Sequence, residues 1–523
     1  MTAPVVRFGL TSVQAYRRER SLDLEVAGPY NRRVFAQTTS VAMVGSEARA
    51  VRIEAHVGRS KEAFTVVGLP DTSVREAKDR VRAAIISTGR DFPHRRVTVN
   101  LSPANLPKAG SDYDLPMALG VLAAMGEASP ASARVVAAGE LSLDGSVSRT
   151  RSAIGAALLA ARRSWPCLVA ESDAASAALV PGSIIYPVSS LAEAVAVVAG
   201  TQLPREVTAA TPVAAGPTPD LAEVRGQPLA RRALEIAAAG GHHLLMVGSP
   251  GAGKTMLAIR LPGILPRLTA SEAVEVACVW ASADRDRRIT DHPPFRSPHH
   301  SASVAAVVGG GTGHPVPGEL SLAHRGVLFL DELGEFPPHL LNSLRQPLED
   351  GRVTIARRGS TVTFPAMAQL VAASNPCPCG FRGDRIRACR CTDSALGRYR
   401  RRLSGPFLDR FDLRVFVSTP DSSSLLGAPA EASNFVHRRV VAARSIQTSR
   451  GEINGRVGRL ELDRQPMEAG AVGLLTQAVD AGILTGRGVD RIRRVARTIA
   501  DLSAIETVGE EQVAEALAFR GDL

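Results

Sequence analysis

Hydrophobic and polar positions follow two different periods over the first part of the chain. Apolar residues alternate with polar ones across residues 51–57, which predicts a strand with one buried face. Across residues 71–87 the apolar residues recur every three or four positions, which predicts an amphipathic helix. Apolar helices are also predicted at 115–125 and 153–161. Together these elements predict an α+β domain over residues 35–200.

The pattern changes after this domain. Residues 201–220 are rich in Thr, Ala and Pro and have no period, so they are interpreted as a linker between domains. Short apolar runs at 243–247, 327–330 and 370–374 then predict strands, and the second run has the unbroken apolar character of a strand buried in a parallel sheet. These strands belong to a predicted α/β domain, residues 221–427.

The two ends of the chain differ from each other. Residues 428–523 carry apolar stripes at helical spacing, for example at Ile492, Val495 and Ile499, and predict a helical domain. Residues 1–34 are polar and arginine-rich without a clear period, and they are interpreted as a disordered tail.

Composition indicates a globular protein with a basic balance of charge. Of the 523 residues, 45% are hydrophobic and 22% are charged, as in soluble domains. The formal net charge of +11 favours polyanionic partners, although proteins rich in arginine and alanine are often basic without binding nucleic acid. The sequence has no apolar run that predicts a transmembrane helix and no secretory signal, so a cytoplasmic protein without membrane contact is expected.

The strongest chemical motif is a phosphate-binding loop. It follows the predicted strand 243–247 and precedes a predicted helix, which is the context that such a loop requires. Backbone N–H groups of the loop would wrap the phosphates of ATP, while Lys254 would reach the β- and γ-phosphates and Thr255 would hold Mg²⁺. The predicted nucleotide-binding residues are Gly248, Ser249, Pro250, Gly251, Ala252, Gly253, Lys254 and Thr255.

Two further strand ends carry candidate residues for ATP hydrolysis. The run 327–330 ends in Asp331, predicted to hold Mg²⁺ through water, and in Glu332, predicted to polarise the attacking water. The run 370–374 ends in Asn375, whose amide can orient that water beside the γ-phosphate. An Asp-Glu pair after an apolar run is common by chance, but it is uncommon at this distance behind a phosphate-binding loop.

Three arginines are candidates for ATP contacts from outside the loop. Arg410 is predicted to be an arginine finger that reaches the ATP of a neighbouring subunit. The alternative for it is a structural salt bridge with Asp409 or Asp412. Arg487 and Arg494 lie on one face of a predicted C-terminal helix, and one arginine of this face is expected to contact nucleotide, although each alone could be a solvated charge.

Two basic segments are candidates for contacts with DNA. A β-hairpin is predicted around Arg357 and Arg358, which would occupy its tip and suit a phosphate backbone; a solvated turn is the alternative. The second segment, residues 376–402, is dense in arginine, and its predicted DNA contacts are Arg382 and Arg385.

The same segment holds four of the six cysteines. Cys377 and Cys379 are separated from Cys389 and Cys391 by nine residues, and four thiolates so close in sequence can bind Zn²⁺ in a tetrahedral site. The usual zinc knuckle has two residues between its paired cysteines, so four free thiols or a redox pair are the alternatives. With a bound zinc ion, the basic segment would form a rigid element.

Four longer motifs lie at 225–227, 295–301, 317–324 and 375–380. Together with the phosphate-binding loop they are similar to those of the YifB/ComM family of magnesium-chelatase-like AAA+ proteins. The resemblance runs from about residue 35 to the C-terminus.

This resemblance implies an α/β fold in which an AAA+ P-loop domain, a parallel sheet flanked by helices, is followed by a helical lid. It also implies a homo-hexameric ATPase ring that uses ATP and Mg²⁺, with residues 295–318 facing the channel and the hairpin 353–364 as a pore element. Members of the family are associated with DNA branch migration in natural transformation and recombination, so branched or single-stranded DNA is the expected partner. The alternative is a motor that remodels a protein partner.

The N-terminal domain resembles the Lon-protease-like domain of this family, but the residues for proteolysis are missing. Such proteolysis needs a serine nucleophile and a lysine base within hydrogen-bond reach. The serine position falls at Asp112, and residues 151–157 contain no lysine. Ser111 and Lys108 are neighbours in a loop, which does not make them a dyad. We expect a non-proteolytic scaffold.

Overall fold

The computed structural model of the protein describes most of the chain. The predicted N-terminal tail, apart from its last residue, lies outside the described residues, as do Arg358, Arg385 and the middle of the predicted linker. The described residues are 34–69, 71–106, 108, 110–209, 218–283, 289–311, 315–357, 360–384, 387–403 and 405–520.

The N-terminal unit is a mixed sheet that carries helices. Its strands are β1 (Phe35–Val44), β2 (Glu47–Val57), β3 (Ala63–Val67), β4 (Arg96–Ser102), β5 (Val136–Ala138), β6 (Glu140–Leu141), β7 (Val147–Ser148), β8 (Pro166–Ala170) and β9 (Ile184–Val188). Its helices are α1 (Thr72–Ser87), α2 (Asp114–Met125), α3 (Ala153–Arg163), α4 (Glu171–Ala177) and α5 (Leu191–Ala199). The main sheet has the order β3-β4-β2-β1-β5-β8-β9.

The sequence pattern accounts for these elements. In β2 the residues at 51, 53, 55 and 57 are buried, as their alternation predicts. Helix α1 begins after Asp71, whose side chain accepts a hydrogen bond from the backbone N–H of Val74. Helix α2 is buried on nearly every side, since it packs against β1, β2 and α1, and its sequence is correspondingly apolar all round.

The central unit holds a second sheet and the loops that leave it. Its strands are β10 (Leu244–Gly248), β11 (Phe295–Arg296), β12 (Gly309–Gly310), β13 (Val316–Pro317), β14 (Val327–Leu330), β15 (Arg352–Arg357), β16 (Ser360–Pro365), β17 (Gln369–Ser374) and β18 (Leu413–Val417). Its helices are α6 (Pro228–Gly240), α7 (Lys254–Ile264), α8 (Ala270–Ser282), α9 (Val304–Val307), α10 (Glu319–Leu322), α11 (Pro338–Asp350), α12 (Asp393–Arg402), α13 (Gly405–Leu408) and α14 (Ser422–Leu426).

Five of these strands form a parallel sheet in the order β11-β14-β17-β10-β18. The apolar side chains of its strands alternate between two hydrophobic clusters, one on each face, so the sheet is covered by helices on both sides. The carboxyl ends of β10, β14 and β17 therefore meet at one edge. The predicted hairpin is also present, as β15 paired in antiparallel fashion with β16.

The C-terminal unit is helical, as predicted. Its apolar stripe at Ile492, Val495 and Ile499 joins the same cluster that covers one face of the parallel sheet. The helices are α15 (Ser433–Ser449), α16 (Arg459–Asp463), α17 (Ala469–Asp480), α18 (Gly486–Leu502) and α19 (Glu510–Ala518).

Helix α8 joins the N-terminal unit to the central one. Val274 and Cys278 on this helix are buried in a cluster formed mostly by the N-terminal unit. The hydroxyl of Ser282 donates to the carbonyl oxygen of Gly45 at 2.5 Å, and Val44 packs against the cluster that contains the hairpin. The turn between β1 and β2 therefore contacts both α8 and the middle of β16, at Val362 and Thr363.

Among the described residues, no helix combines the length and the apolarity that a membrane span requires.

A buried ion-pair network in the C-terminal helices gives a test of stability. Asp501 accepts hydrogen bonds from Arg450, Arg497 and Asn454, and its side chain is fully buried. We expect Asp501→Ala to lower the free energy of unfolding by about 3–5 kcal/mol, because it leaves the buried guanidinium of Arg497 without its carboxylate partner. Denaturant unfolding measures this, with Asp480→Ala at an exposed position as the control. A loss equal to that of the control would contradict the role of the network.

Candidate active site

The phosphate-binding loop connects β10 to α7 at the carboxyl edge of the parallel sheet. Gly248 has no room for a side chain, since a Cβ atom there would collide with the backbone carbonyl of Val417 on β18. Gly253 has φ +94°, in the left-handed region that favours glycine, and directly precedes α7. The glycines therefore let the backbone turn tightly from the strand into a helix whose N-terminus faces the loop.

Lys254 lies inside this loop and is largely buried. Its ammonium group donates hydrogen bonds to the carbonyl oxygens of Gly248 and Ser249, at 2.7 and 3.0 Å. It also donates to the side-chain oxygen of Asn375, at 3.2 Å. Burial lowers the pKa of Lys254, while Asp331 and Glu332 act in the opposite direction. The structure thus brings together the ammonium group of Lys254 and the side-chain amide of Asn375, which follow different strands in the sequence.

A second pair joins the loop to the end of β14. The hydroxyl of Thr255 donates to a carboxylate oxygen of Asp331 at 2.8 Å, and the other oxygen of Asp331 accepts from the backbone N–H of Glu332 at 2.9 Å. A hydroxyl and a carboxylate are oxygen ligands of the kind that Mg²⁺ prefers beside phosphates. These two residues fit the predicted magnesium site.

Glu332 has a partner that sequence reasoning missed. Its carboxylate is 58% exposed and lies 3.4 Å from the Nδ1 atom of His300. The His300 ring packs against His299, with 4.0 Å between centroids, and meets Phe336 edge-on. The two adjacent histidines after β11 are the sequence feature from which this contact could have been predicted. Since β11 is parallel to β14, the loops that follow both strands leave the same edge of the sheet, and this could have suggested the contact.

The backbone of Glu332 is strained as well. Its φ of +51° and ψ of +49° lie in the left-handed region, which is uncommon for a residue with a side chain. Such strain is found where the surrounding structure fixes an unusual direction for a side chain. Here the turn aims Glu332 away from the strand and towards the loop that carries His300.

The structure corrects the alternative partners considered for Arg410. Neither Asp409 nor Asp412 forms its salt bridge; Arg410 pairs with Glu349 at the end of α11, at 2.5 Å. Asp412 instead lies near His242 and Arg491, at 3.4 and 3.8 Å. Asp409 lies 3.8 Å from the guanidinium of Arg414, so both acidic neighbours of Arg410 in sequence are close to other cations.

The two lid arginines have different surroundings. Arg487 is exposed near the start of α18, whereas Arg494 donates from Nε to the carbonyl oxygen of Val457 at 3.0 Å. Between them, Arg491 is buried beside Asp412, which precedes β18 at the sheet edge opposite the phosphate-binding loop. A nucleotide contact from this helix remains a prediction.

The four clustered cysteines meet in space. The Sγ atom of Cys377 is 3.4 Å from that of Cys379 and 3.6 Å from that of Cys389. Cys391 completes a group whose Sγ atoms all lie within 4.8 Å of one another. Zn–S bonds of about 2.3 Å in a tetrahedron put sulfur atoms about 3.8 Å apart, so this group fits zinc. A disulfide needs about 2.05 Å and is not formed.

Nearby backbone groups also lower the pKa of one thiol of the group. Hydrogen bonds from the backbone N–H groups of Phe381 and Arg390 lower the pKa of Cys379 to about 6. The thiolate is the form that binds metals, so Cys379 is the thiol of the group that supplies it most readily, whereas the pKa of Cys389 and of Cys391 is raised.

Most of the arginines around the cysteines face solvent. Arg382 is exposed in the cysteine loop, and the guanidinium of Arg387 lies over the ring of Phe381 at 5.1 Å. Further exposed arginines of the segment are Arg390, Arg398, Arg400, Arg401 and Arg402. Of the hairpin tip only the backbone of Arg357 is described, at the end of β15, so the predicted contacts of the tip stay untested.

The N-terminal unit holds no serine–lysine pair at the candidate position. The ammonium group of Lys108 donates to the carbonyl oxygens of Gly68 and Pro103, whereas the hydroxyl of Ser111 donates to Glu140. Asp112, at the serine position, is half-buried, and desolvation of its carboxyl raises its pKa to about 6. Lys108 and Ser111 therefore have separate partners.

Comparison with protein-family models gives matches along most of the chain. Residues 220–425 match the model described as "Magnesium chelatase, subunit ChlI". Residues 53–172 match "Subunit ChlI of Mg-chelatase", and residues 430–520 match "Magnesium chelatase, subunit ChlI C-terminal".

Curated relatives match over nearly their full length. An uncharacterised protein of Mycobacterium tuberculosis is 43% identical over 499 residues, 92% of this chain and 97% of that protein. The competence protein ComM of Haemophilus influenzae is 42% identical over 494 residues, 92% of this chain and 96% of its own. The uncharacterised protein YifB of Escherichia coli is 40% identical over 488 residues, with the same coverage.

The cysteine geometry predicts a measurable metal content. Protein purified under reducing conditions from zinc-supplemented cells should contain about one zinc ion per chain, as expected for a closed four-thiolate site. The double variant Cys377→Ala/Cys389→Ala should contain almost none, because two ligands cannot hold the ion tightly. Elemental analysis by mass spectrometry measures both, with Cys278→Ala, a buried cysteine outside the group, as the control. Zinc-free wild-type protein would overturn the assignment.

Proposed function

The chain belongs to the YifB/ComM family of magnesium-chelatase-like AAA+ ATPases, and from this premise we propose that it is an ATP-driven motor acting on branched or single-stranded DNA. Membership in this family implies ATP as the substrate and Mg²⁺ as its companion ion. The observation that carries the proposal is the convergence of Lys254, Asp331 and Asn375 at one sheet edge beside a strongly basic segment.

In the proposed reaction each residue at this edge has one task. Lys254 neutralises charge on the β- and γ-phosphates, and the backbone N–H groups of the loop hold the phosphate oxygens. Thr255 and Asp331 hold Mg²⁺, which, when bound, neutralises charge on the phosphates. Glu332 accepts a proton from the attacking water, and Asn375 orients that water for in-line attack.

In the proposed reaction, the carboxylate of Glu332 separates from His300 before hydrolysis. The carboxylate of Glu332 cannot hold the attacking water with an oxygen that is turned towards His300, whose Nδ1 atom lies 3.4 Å away. We therefore expect Glu332 to leave His300 when it takes the water. Residues 295–318, which include His300, would then influence hydrolysis from the side of the ring channel.

We assign Arg410 to the ATP of a neighbouring subunit in a homo-hexamer, and Arg487 or Arg494 to a nucleotide contact from the lid. The support for a task between subunits is that Arg410 forms its ion pair with Glu349 on α11, and that its Nε atom is buried without a partner. Because the side chain of Arg410 is 9% exposed, the proposal requires that its ion pair with Glu349 opens when the neighbouring subunit docks, which frees the guanidinium to take up a phosphate oxygen.

DNA binding is proposed for the hairpin and for the cysteine segment. Exposed arginines from Arg382 to Arg402 would contact backbone phosphates, and Arg357, Arg358 and Arg385 are assigned to the same task. Zinc would fix the segment, which makes its arginines a rigid surface. The reduced thiols and the need for ATP suit the cytoplasm.

The first test is steady-state ATP hydrolysis with no DNA, with single strands, with duplex and with a four-way junction. We expect stimulation by the junction or the single strand, and weaker DNA binding as salt rises. Lys254→Ala should lower the rate at least about 100-fold, and Glu332→Gln should lower kcat about 10²–10³-fold while ATP still binds. A high rate of ATP hydrolysis that no DNA changes would contradict the proposal of a motor acting on DNA and would favour a motor that acts on a protein partner.

A charge-matched pair of variants tests the hairpin. Arg357→Ala/Arg358→Ala should abolish the stimulation of ATP hydrolysis by DNA, since two phosphate contacts are lost at the channel. Arg95→Ala/Arg96→Ala removes the same charge from an exposed part of the N-terminal unit and should retain the stimulation. Equal losses in both variants would indicate a general effect of net charge instead of a contact at the tip.

A further inference from the structure

Helix α12 has one buried side chain, Tyr399, among exposed arginines. The helix begins directly after the last cysteine of the group, with Thr392 as its N-cap. The Tyr399 hydroxyl donates to the backbone carbonyl of Asn375 at 3.0 Å and lies 3.2 Å from the hydroxyl of Ser374. This side chain thus reaches the end of β17, at the residue whose amide contacts Lys254.

The same ring contacts the turn that follows Glu332. Tyr399 packs so closely on Gly334 that a Cβ atom at position 334 would collide with the phenol ring. At the end of α12, Arg402 lies 3.6 Å from Glu335 in the same turn. One helix therefore contacts the ends of both β14 and β17, where the candidate hydrolytic residues lie.

The cysteine loop also contacts the phosphate-binding loop. Gly380 lies so close to Pro250 that a Cβ atom at position 380 would be 2.6 Å from the proline ring. Cys377 is fully buried two residues after Asn375. The folded segment 376–402, here called the cysteine insert, thus touches all three parts of the candidate active site.

We propose that Tyr399 is a positioning residue that holds Asn375 and the Glu332 turn in place against the phosphate-binding loop, and that it can do so only while the cysteine insert is folded around its thiolates. The inference rests on the proposed ATP hydrolysis. Orientation of an attacking water tolerates little displacement, because misplacement of a catalytic group by about 1 Å can cost about 100-fold in rate. The backbone of Asn375 is held by Tyr399 and its side chain by Lys254, so both ends of the residue are fixed.

The chemistry of the phenol suits this task. Burial raises the pKa of Tyr399, so its hydroxyl keeps its proton and remains a donor across the physiological range. On the opposite side of the helix, the arginines face the proposed DNA. A polyanion bound to these arginines would contact the same helix that positions Asn375. This contact is a way in which bound DNA would stimulate ATP hydrolysis.

The variant Tyr399→Phe tests this by removing only the hydroxyl. We expect kcat for ATP hydrolysis to fall about 10-fold, with KM for ATP, zinc content and thermal stability close to wild type. Tyr113→Phe removes the hydroxyl of another buried tyrosine, in the N-terminal unit, and should leave kcat unchanged. An unchanged kcat in Tyr399→Phe, beside an active wild type, overturns the inference and leaves the proposed function standing. An inactive wild type overturns the proposed function itself.

A double-mutant cycle separates positioning from general weakening. Asn375→Ala alone should lower kcat, and Tyr399→Phe added to it should lower kcat little further, because the phenol acts through Asn375. Full additivity of the two effects contradicts the inference.

The insert is tested by Cys377→Ala/Cys389→Ala. This variant should lower kcat at least as far as Tyr399→Phe does, and trypsin should cleave its arginines in the insert faster than those of wild type. Faster cleavage together with an unchanged kcat also contradicts the inference.

Discussion

The pairing of five parallel strands is the constraint on which the candidate active site depends. Because β17 lies between β10 and β14, the ends of these three strands bring Lys254, Asp331 and Asn375 to one edge. Apolar clusters cover both faces of the sheet, so a one-residue shift in strand register would move each side chain from one cluster into the other, disrupt the packing of both, and separate these groups. The geometry of the site is therefore set largely by residues that contact no nucleotide.

The segments that leave this edge connect the chemistry to the surface over short distances. The cysteine insert starts directly after Asn375 and returns through α12, whose arginines face solvent while Tyr399 faces the site. The loop after β11 places His300 beside Glu332. Both connections run through side chains that lie against the candidate residues for ATP hydrolysis.

The N-terminal unit is integrated with the central unit by packing. Helix α8 contributes Val274 and Cys278 to its core, and the β1–β2 turn contacts β16 of the hairpin through Val44 and Gly45. Lys108 and Ser111 bond to separate partners, which suits a scaffold better than a protease. A unit packed against β16 can fix the direction in which the hairpin projects.

The sequence by itself determined the local elements: the phosphate-binding loop between strand and helix, the hairpin, the apolar strand runs and the lid helices. Each of these is encoded in a short window, where period, glycine placement or turn length has a direct structural meaning. Only the tertiary structure decided which distant side chains meet, namely Glu332 with His300, Arg410 with Glu349, and Tyr399 with Asn375 and Gly334. These pairs depend on strand order and on the path of the loops, which no local pattern specifies, because contact across a fold is set by the packing of the whole sheet.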